Sequence, residues 1–401
     1  CTIEVAQDNN GVRVMPKVDD LSCCLTALDQ DSTLIAVIEL SQKSWLVAGL
    51  VPGLARRPLK KLAAEPAAVL RLLERWREEA VKAGCRISRV AVAFEAGRDG
   101  FWLARWLRGR GIEAHVIHAA SVAVSREHRR AKTDRLDTEL LLRAFLGWLR
   151  GEKRHCQMCL VPSPEEEDGR CPGREHEVLQ REQTRLVNRI QATMSRLGIK
   201  GFNPKLRRAT ERLAKLRTPE GSVIPPHTQA QLRRDLERLG LIRQQMKEID
   251  AERRQDLEQA PQAKANAAML LLARLFGLGL ETADTLVHEA LLRPMRDRRA
   301  VGRYGGITGA PDESGAKRRE KGLARAGNAR IRHTMIQLAW RWTRFQKDSA
   351  LTRWYEARTK NASKLVRKKM IVALARKLLI ALWRYVTAGV VPEGARLRPA
   401  V

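Results

Sequence analysis

The chain has 401 residues, 44% of them apolar and 30% charged, which is enough to bury the cores of two or three domains. Its 75 Lys and Arg outnumber 45 Asp and Glu for a formal net charge of +30. That excess points to nucleic-acid backbones as partners; an anionic membrane surface is the other candidate, but no apolar run reaches the length of a transmembrane helix. Seven cysteines, at 1, 23, 24, 85, 156, 159 and 171, form no regular framework and follow no secretory signal, so a reducing, cytoplasmic compartment is expected.

Residues 1–32 are polar and irregular, with Asp8-Asn9-Asn10-Gly11 as a turn signal, and read as a loose leader. Leu34 to Leu40 is an apolar run of strand length that carries a carboxylate, Glu39, near its end. Trp45 to Val51 follows four polar residues later, so the two runs are predicted to form a β-hairpin. A short third strand is expected near residues 54–62, then a helix over 65–83 with Leu72, Leu73, Trp76 and Ala80 at helical spacing. Ile87 to Phe94 is β-rich and runs into Glu95-Ala96-Gly97. A carboxylate at the C-terminal end of a buried strand is where open α/β sheets place function. A helix over 99–109, a strand over Ala114–His118 and a helix opening at Asp134 complete the order. This is the layout of a ribonuclease H-like (RuvC-like) domain over residues 33–150.

The last helix of that domain opens with Lys132-Thr133-Asp134-Arg135-Leu136-Asp137-Thr138. Two carboxylates three residues apart at a helix start project from one face, so Asp134 and Asp137 can both reach one metal ion. Arg126, Arg129, Arg130, Lys132 and Arg135 surround them, which favours ionised carboxylates and attracts a polyanion. The combination suggests metal-dependent phosphodiester chemistry. Taken alone, a solvated helix start with Asp134 as N-cap explains the stretch more simply.

Residues 151–175 break the pattern with Pro162, Pro164, Pro172 and the acidic run Glu165-Glu166-Glu167-Asp168. Cys156, Cys159 and Cys171 with His176 have the ligand types of a zinc site. They lack the second closely spaced pair of a structural zinc module, so a linker with incidental thiols is preferred. Residues 176–264 are dense in Arg, Glu and Gln and are predicted to form a helical or coiled-coil arm, interrupted near 198–204 and 219–226. Such an arm serves as a spacer, a self-association element or a nucleic-acid contact.

From Ala265 to about residue 390 the chain is predicted to be a mostly helical domain, with residues 391–401 as a tail. Gly277-Leu278-Gly279 separates two helices; its amides suit a phosphate, and a plain αα-hairpin turn explains it equally well. Tyr304 to Gly315 is Gly-rich and reads as a flexible loop carrying Ser314. Lys317, Arg318, Arg319, Lys321 and Arg325 follow, and then Gly327-Asn328-Ala329-Arg330-Ile331-Arg332 opens a long helix over 328–345. A serine hydroxyl becomes a nucleophile only beside a base, a metal or a dense positive field, and the following basic cluster offers the last of these. A turn serine is the plain alternative. A basic amphipathic helix over 363–386 closes the domain.

In order and separation, these motifs resemble those of the DEDD-type transposases of the insertion-sequence family numbered one hundred and ten, the bridge-RNA-guided recombinases. The likeness runs from about residue 33 to about residue 358 and rests on the strand-end acid, Phe94-Glu95-Ala96-Gly97, Lys132 to Asp137, Gly277-Leu278-Gly279, Ser314-Gly315 and Gly327-Asn328-x-x-x-Arg332. The resemblance implies four metal-binding acids at Glu39, Glu95, Asp134 and Asp137, with Mg²⁺ as cofactor, and a nucleophilic serine at Ser314. Nucleic-acid contacts are expected from Arg129, Arg130, Lys132, Lys317, Arg318, Arg319, Lys321, Arg325, Asn328 and Arg332. The first acid is ordinarily Asp, and Glu39 adds a methylene to a site that needs tight geometry. Asp29 and Asp31 lie upstream of the strand and are not expected to replace it.

The implied activity is strand cleavage and exchange through a phosphoserine link, with donor and target DNA chosen by pairing to a structured bridge RNA. The two half-sites then have to meet, within a chain or between subunits of a dimer or tetramer. Two other readings remain open at this point: a catalytically weakened, transposase-derived nucleic-acid-binding protein, and a RuvC-like junction nuclease that uses the acids and no serine.

Overall fold

The computed structural model describes residues 21–97, 100–122, 134–152, 155–314, 317–323 and 326–399, with 120, 134, 310–314 and 317–321 described by their backbone alone. The chain divides into two compact units, Cys1–Ser163 and Pro164–Val401. The first is mixed α/β around one six-stranded sheet; the second is mostly helical.

The first unit runs β1 (Thr33–Glu39), β2 (Ser44–Leu50), β3 (Leu59–Ala63), α1 (Pro66–Lys82), β4 (Arg89–Glu95), α2 (Trp102–Arg108), β5 (Glu113–Ile117), α3 (Asp134–Leu149) and β6 (Met158–Cys159). The sheet order is β3-β2-β1-β4-β5-β6. β1, β2 and β3 form an antiparallel meander, while β4 and β5 run parallel to β1. Parallel strands covered on both faces are apolar at successive rather than alternate positions, and β1 is so from Leu34 to Ile38. Leu34, Ala36, Ile38, Val92 and Phe94 pack with α1 and α2 through Leu72, Trp76, Leu103 and Leu107. Ile35, Val37, Ala91 and Ala93 face the other way and pack under α3 through Leu141, Phe145 and Trp148.

The interval read as a leader is fastened where it is described. Cys24 N–H donates to the Trp148 carbonyl at 2.9 Å, and the Trp148 indole donates to the Leu21 carbonyl at 3.1 Å. The interval read as a linker likewise holds structure. β6 adds to the sheet edge through Val116 opposite Cys159 and Ile117 opposite Met158, and the helices α4 (Pro164–Asp168) and α5 (Cys171–Arg196) begin the second unit. A two-residue strand has no periodicity to read, so only its partner strand reveals it.

The second unit continues with α6 (Ala209–Lys215), α7 (Pro226–Gln259), α8 (Lys264–Ala273), α9 (Leu280–Leu286, extended by a π-turn over Val287–Leu291), α10 (Arg298–Tyr304), β7 (Gly309–Ser314), β8 (Lys317–Leu323), α11 (Ala329–Phe345), α12 (Ala350–Thr359) and α13 (Lys364–Ala388). α5 and α7 pack antiparallel, since Arg189 bonds Asp235 while Gln183 reaches Met246. Leu186, Ile190, Leu232 and Leu239 fill their seam. α8 to α13 enclose a separate core around Leu272, Leu286, Met335, Trp342, Leu378 and Leu382. Buried Gln346 ties the end of α11 to two other segments. Its amide donates to the carbonyls of Phe276 (2.8 Å) and Arg396 (3.0 Å), and its oxygen accepts from Arg396 N–H at 2.7 Å. No helix of the described residues is long and apolar enough to cross a membrane.

At the β4–β5 pairing, Arg89 grips Glu113 at 2.6 and 2.8 Å, and His115 lies 2.7 Å from the same carboxylate. Burial pushes the Glu113 pKa up, but the bonds from His115 and Arg89 outweigh it and hold the value at about 2, against an ordinary 4.5. A carboxyl whose folded value lies below its unfolded one stabilises the fold above the unfolded value and loses that contribution as pH falls toward the folded one. Glu113→Gln is therefore expected to remove part of the wild type's loss of stability between about pH 4.5 and about pH 2, read from unfolding midpoints across that window.

Candidate active site

The parallel register of β1 and β4 pairs Ile38 with Phe94, so the next residues, Glu39 and Glu95, end adjacent strands side by side. Neighbouring strands lie about 4.8 Å apart, and two carboxylates at that spacing can share one cation. Alternation along the strands places Glu39 on the face of Ile35 and Val37, and Glu95 on the face of Ala91 and Ala93, which is the face covered by α3. Both glutamates are half-buried.

α3 runs against those strands. Its C-terminal end is pinned where Cys24 meets Trp148, and Arg89, the first residue of β4, reaches Cys24 Sγ at 3.7 Å. From Trp148 back to Asp137 the helix rises roughly 17 Å, and from Arg89 to Glu95 the strand covers roughly 20 Å. The first turn of α3, with Asp134 and half-buried Asp137, is therefore directed to the strand end that carries Glu39 and Glu95. Among the described side chains, no three carboxylates, histidines or cysteines come together closely enough to hold a metal; the Asp134 side chain is not among them. The oxygen-only donor set fits a hard divalent cation such as Mg²⁺ rather than zinc.

Asp29 takes up a different place. It accepts from Asp31 N–H at 3.1 Å and from the Ser32 hydroxyl at 2.6 Å, closing the turn before β1 at the opposite end of the strand from Glu39. Of the cysteines weighed for zinc, Cys156 is buried. It donates to the Ala144 carbonyl at 3.5 Å, and burial pushes its thiol up to about 12, so it sits as a protonated core thiol. Cys159 lies in β6, and Cys171 is exposed at the start of α5.

Ser314 is not on an irregular loop. It is the last residue of β7, paired with Lys317 at the head of an antiparallel hairpin. Lys317, Arg318, Arg319 and Lys321 all lie on β8. Both strands are polar, so cross-strand backbone bonding rather than an apolar face makes them strands. Arg129, Arg130, Lys132 and Arg325 fall outside the described residues.

The two feet of the hairpin are clamped together. Asn328 N–H donates to the Tyr304 carbonyl at 2.7 Å. Gly306 (φ +62°) and Gly327 (φ +122°) take conformations that side chains rarely adopt. A Cβ on Gly327 would lie 2.5 Å from the carbonyl oxygens of Arg303 and Tyr304, and one on Gly306 would collide with the guanidinium of Arg332. Beneath the clamp lies a buried polar network that the sequence did not reveal. Glu289, on the π-turn, accepts from Arg174 at 2.8 and 3.2 Å and from the Asn328 amide at 3.0 Å. The Tyr304 hydroxyl donates to the Glu289 carbonyl at 2.7 Å. Burial pushes the Glu289 carboxyl up, but the bonds from Arg174 and Asn328 hold it below the usual carboxylate range. Asn328 spends its amide oxygen on Arg330 N–H (2.9 Å) and Ile331 N–H (3.2 Å), capping α11. Both ends of this side chain, expected to touch nucleic acid, are committed inside the fold.

Beside the network lies a cavity of about 610 Å³ lined by Arg170, Arg174, Arg181, Arg330, Arg341 and His288 among others. Most of this charge is spent. Arg174 pairs with Glu289, and both Arg181 and Arg330 pair with Glu177. Asp284, pushed up by burial, sits 3.1 Å from Arg253 and 3.5 Å from His288, whose pKa burial lowers. The cavity is thus a set of internal ion pairs more than an open anion site. Asp284 and His288 are four residues apart on one helical face, the only trace of this cluster in the sequence.

Residues 269–374, which include the serine hairpin and its clamp, match the family model Transposase IS116/IS110/IS902 family. Over 384 residues, 93% of this chain and 97% of the relative, the chain is 43% identical to the protein named "Putative transposase y4rJ" from Sinorhizobium fredii (strain NBRC 101917 / NGR234). The class is that of insertion-sequence transposases, enzymes that cut and rejoin DNA. Within it, the chain belongs to the IS116/IS110/IS902 family.

Asn328→Ala removes the α11 cap and leaves the buried Glu289 short of a donor, and is expected to lower stability by about 1–2 kcal/mol, measured by denaturant unfolding.

Proposed function

We propose that the protein exchanges DNA strands through a phosphoserine intermediate formed by Ser314, with Glu39, Glu95, Asp134 and Asp137 holding Mg²⁺. The first unit is read as a ribonuclease H-like (RuvC-like) domain. Its element order, with an antiparallel meander followed by strands parallel to β1, supports that reading. The observation that carries the proposal is the register that ends β1 and β4 in adjacent carboxylates, at the strand end toward which α3 directs its acidic first turn.

Ser314 Oγ bonds to the scissile phosphorus as the bond from phosphorus to the sugar oxygen breaks, and the freed sugar hydroxyl leaves with a proton. A second sugar hydroxyl later attacks the phosphoserine, restores the serine and joins a different strand. A divalent cation on the four carboxylates supplies Lewis-acid stabilisation of the charge that develops on the phosphate. The cationic strand β8, paired to the serine strand, supplies a positive field for the same charge. A structured RNA that pairs with donor and target selects the sequence. The formal charge of +30 then serves to hold RNA and DNA backbones, contacts that carry no sequence information. The protein works as a homo-oligomer.

Full-length protein incubated with Mg²⁺, element-junction DNA and the flanking RNA is expected to yield a denaturant-resistant protein-DNA adduct. Ser314→Ala should lower adduct formation by more than roughly a thousandfold, whereas Glu39→Asp should raise turnover several-fold. An adduct that persists in Ser314→Ala refutes the nucleophile. Cleavage without any adduct identifies a hydrolysing nuclease, and binding without cleavage, even in Glu39→Asp, identifies a non-catalytic binder.

A further inference from the structure

A second cleft of about 850 Å³ in the same unit, between α11, α12 and the start of α13, differs from the ion-paired cavity in where its charge goes. Its lining carries five cations, Arg353, Lys360, Lys364, Arg367 and Lys368, and one carboxylate, Glu356. No carboxylate of the described residues pairs with Lys360, Lys364, Arg367 or Lys368. Four cations without a carboxylate partner around a cleft repel one another, which favours a polyanion that neutralises them. The start of α13, capped by Ser363, adds the positive end of a 25-residue helix.

The wall of the cleft carries Trp340, 44% exposed. A single exposed aromatic is ordinary on a protein surface. This one makes no ring or cation contact with the described residues, whereas the neighbouring Trp354 is covered by Arg358 at 4.7 Å and Lys377 at 4.8 Å. Cations that follow a phosphate chain beside an uncovered aromatic face are the elements that hold unpaired nucleic acid, with a base stacked on the ring. Duplex DNA keeps its base faces stacked inside and has nothing to offer Trp340. The breaking and rejoining of DNA by a transposase exposes unpaired ends.

We propose that this cleft binds an unpaired DNA strand, with one base stacked on Trp340 and its flanking phosphates on Lys364, Arg367 and Lys368. The assignment does not depend on the serine chemistry. Binding is read with divalent cations chelated, so an inactive Ser314 leaves it unchanged, and a cleft that fails to bind leaves the serine reading intact.

The test uses the full-length protein and a fluorescein-labelled oligothymidylate of about 15 nucleotides, with the matching duplex and an oligouridylate of equal length, all by anisotropy in EDTA across a salt series. Trp340→Ala is expected to weaken single-strand binding roughly tenfold while leaving the duplex unchanged, and Trp340→Phe, which keeps a ring, to weaken it less. Lys364→Ala and Arg367→Ala should each reduce the single-strand salt slope by about 0.7. Unchanged single-strand binding in Trp340→Ala overturns the proposal, as does an equal loss on the duplex. A loss confined to oligouridylate assigns the cleft to RNA and overturns it too. Exposed Leu365 and Val366 lie beside the cleft, and unchanged salt slopes would assign the surface to a protein partner instead.

Discussion

The parallel pairing of β1 with β4, buried on both faces, is the constraint on which the first unit depends. Between its first and last residues neither strand carries a polar side chain, because α1 and α2 press on one face and α3 on the other. A carboxylate can appear only where the cover runs out, and on both strands that is the last residue. The apolar seal and the pair of acids are therefore one arrangement: the register that closes the core also sets Glu39 beside Glu95. A slip of one residue between the two strands would put the glutamates on opposite faces of the sheet.

In the second unit the corresponding role falls to a charge. The Glu289 carboxylate is buried at a cost that its donors offset, and those donors come from α5 and from the cap of α11, while Tyr304 at the end of α10 bonds the Glu289 carbonyl. Two of these segments, α10 and the cap of α11, are the ones from which the serine hairpin rises. The serine strand needs no apolar core of its own, because its foundation is a hydrogen-bonded polar network. The same logic recurs in the helical pair, where Asp235 is buried against Arg189.

Much of this architecture was legible in the amino-acid sequence. The continuous apolar runs of β1 and β4 and the helical spacing of Leu72, Leu73 and Trp76 mark buried elements whatever their neighbours do. Breaks at 198–204 and 219–226 likewise mark the ends of α5 and the start of α7. The serine hairpin was not legible as strands. Gly309 to Ser314 and Lys317 to Leu323 carry no alternation of apolar and polar residues, and only their pairing makes them β. Nor were the buried acids. Asp235 sits in a helical stretch crowded with Arg and Glu, and Asp284 and Glu289 in a more apolar one, and in both an acid that is buried and one that is solvated look the same until the partner helix is placed. The strand-end acids stood out because an apolar run gives each of them a defined edge.

Gly327 gives the serine hairpin a fulcrum. About 17 Å of strand separates Gly309 from Ser314, so a small opening at the foot is amplified at the far end. A single methyl group at Gly327 would press on two carbonyl oxygens and part the feet, displacing Ser314, the nucleophile proposed above, without altering that residue. The position of the hairpin tip is in this way set by a residue that has no side chain to lose.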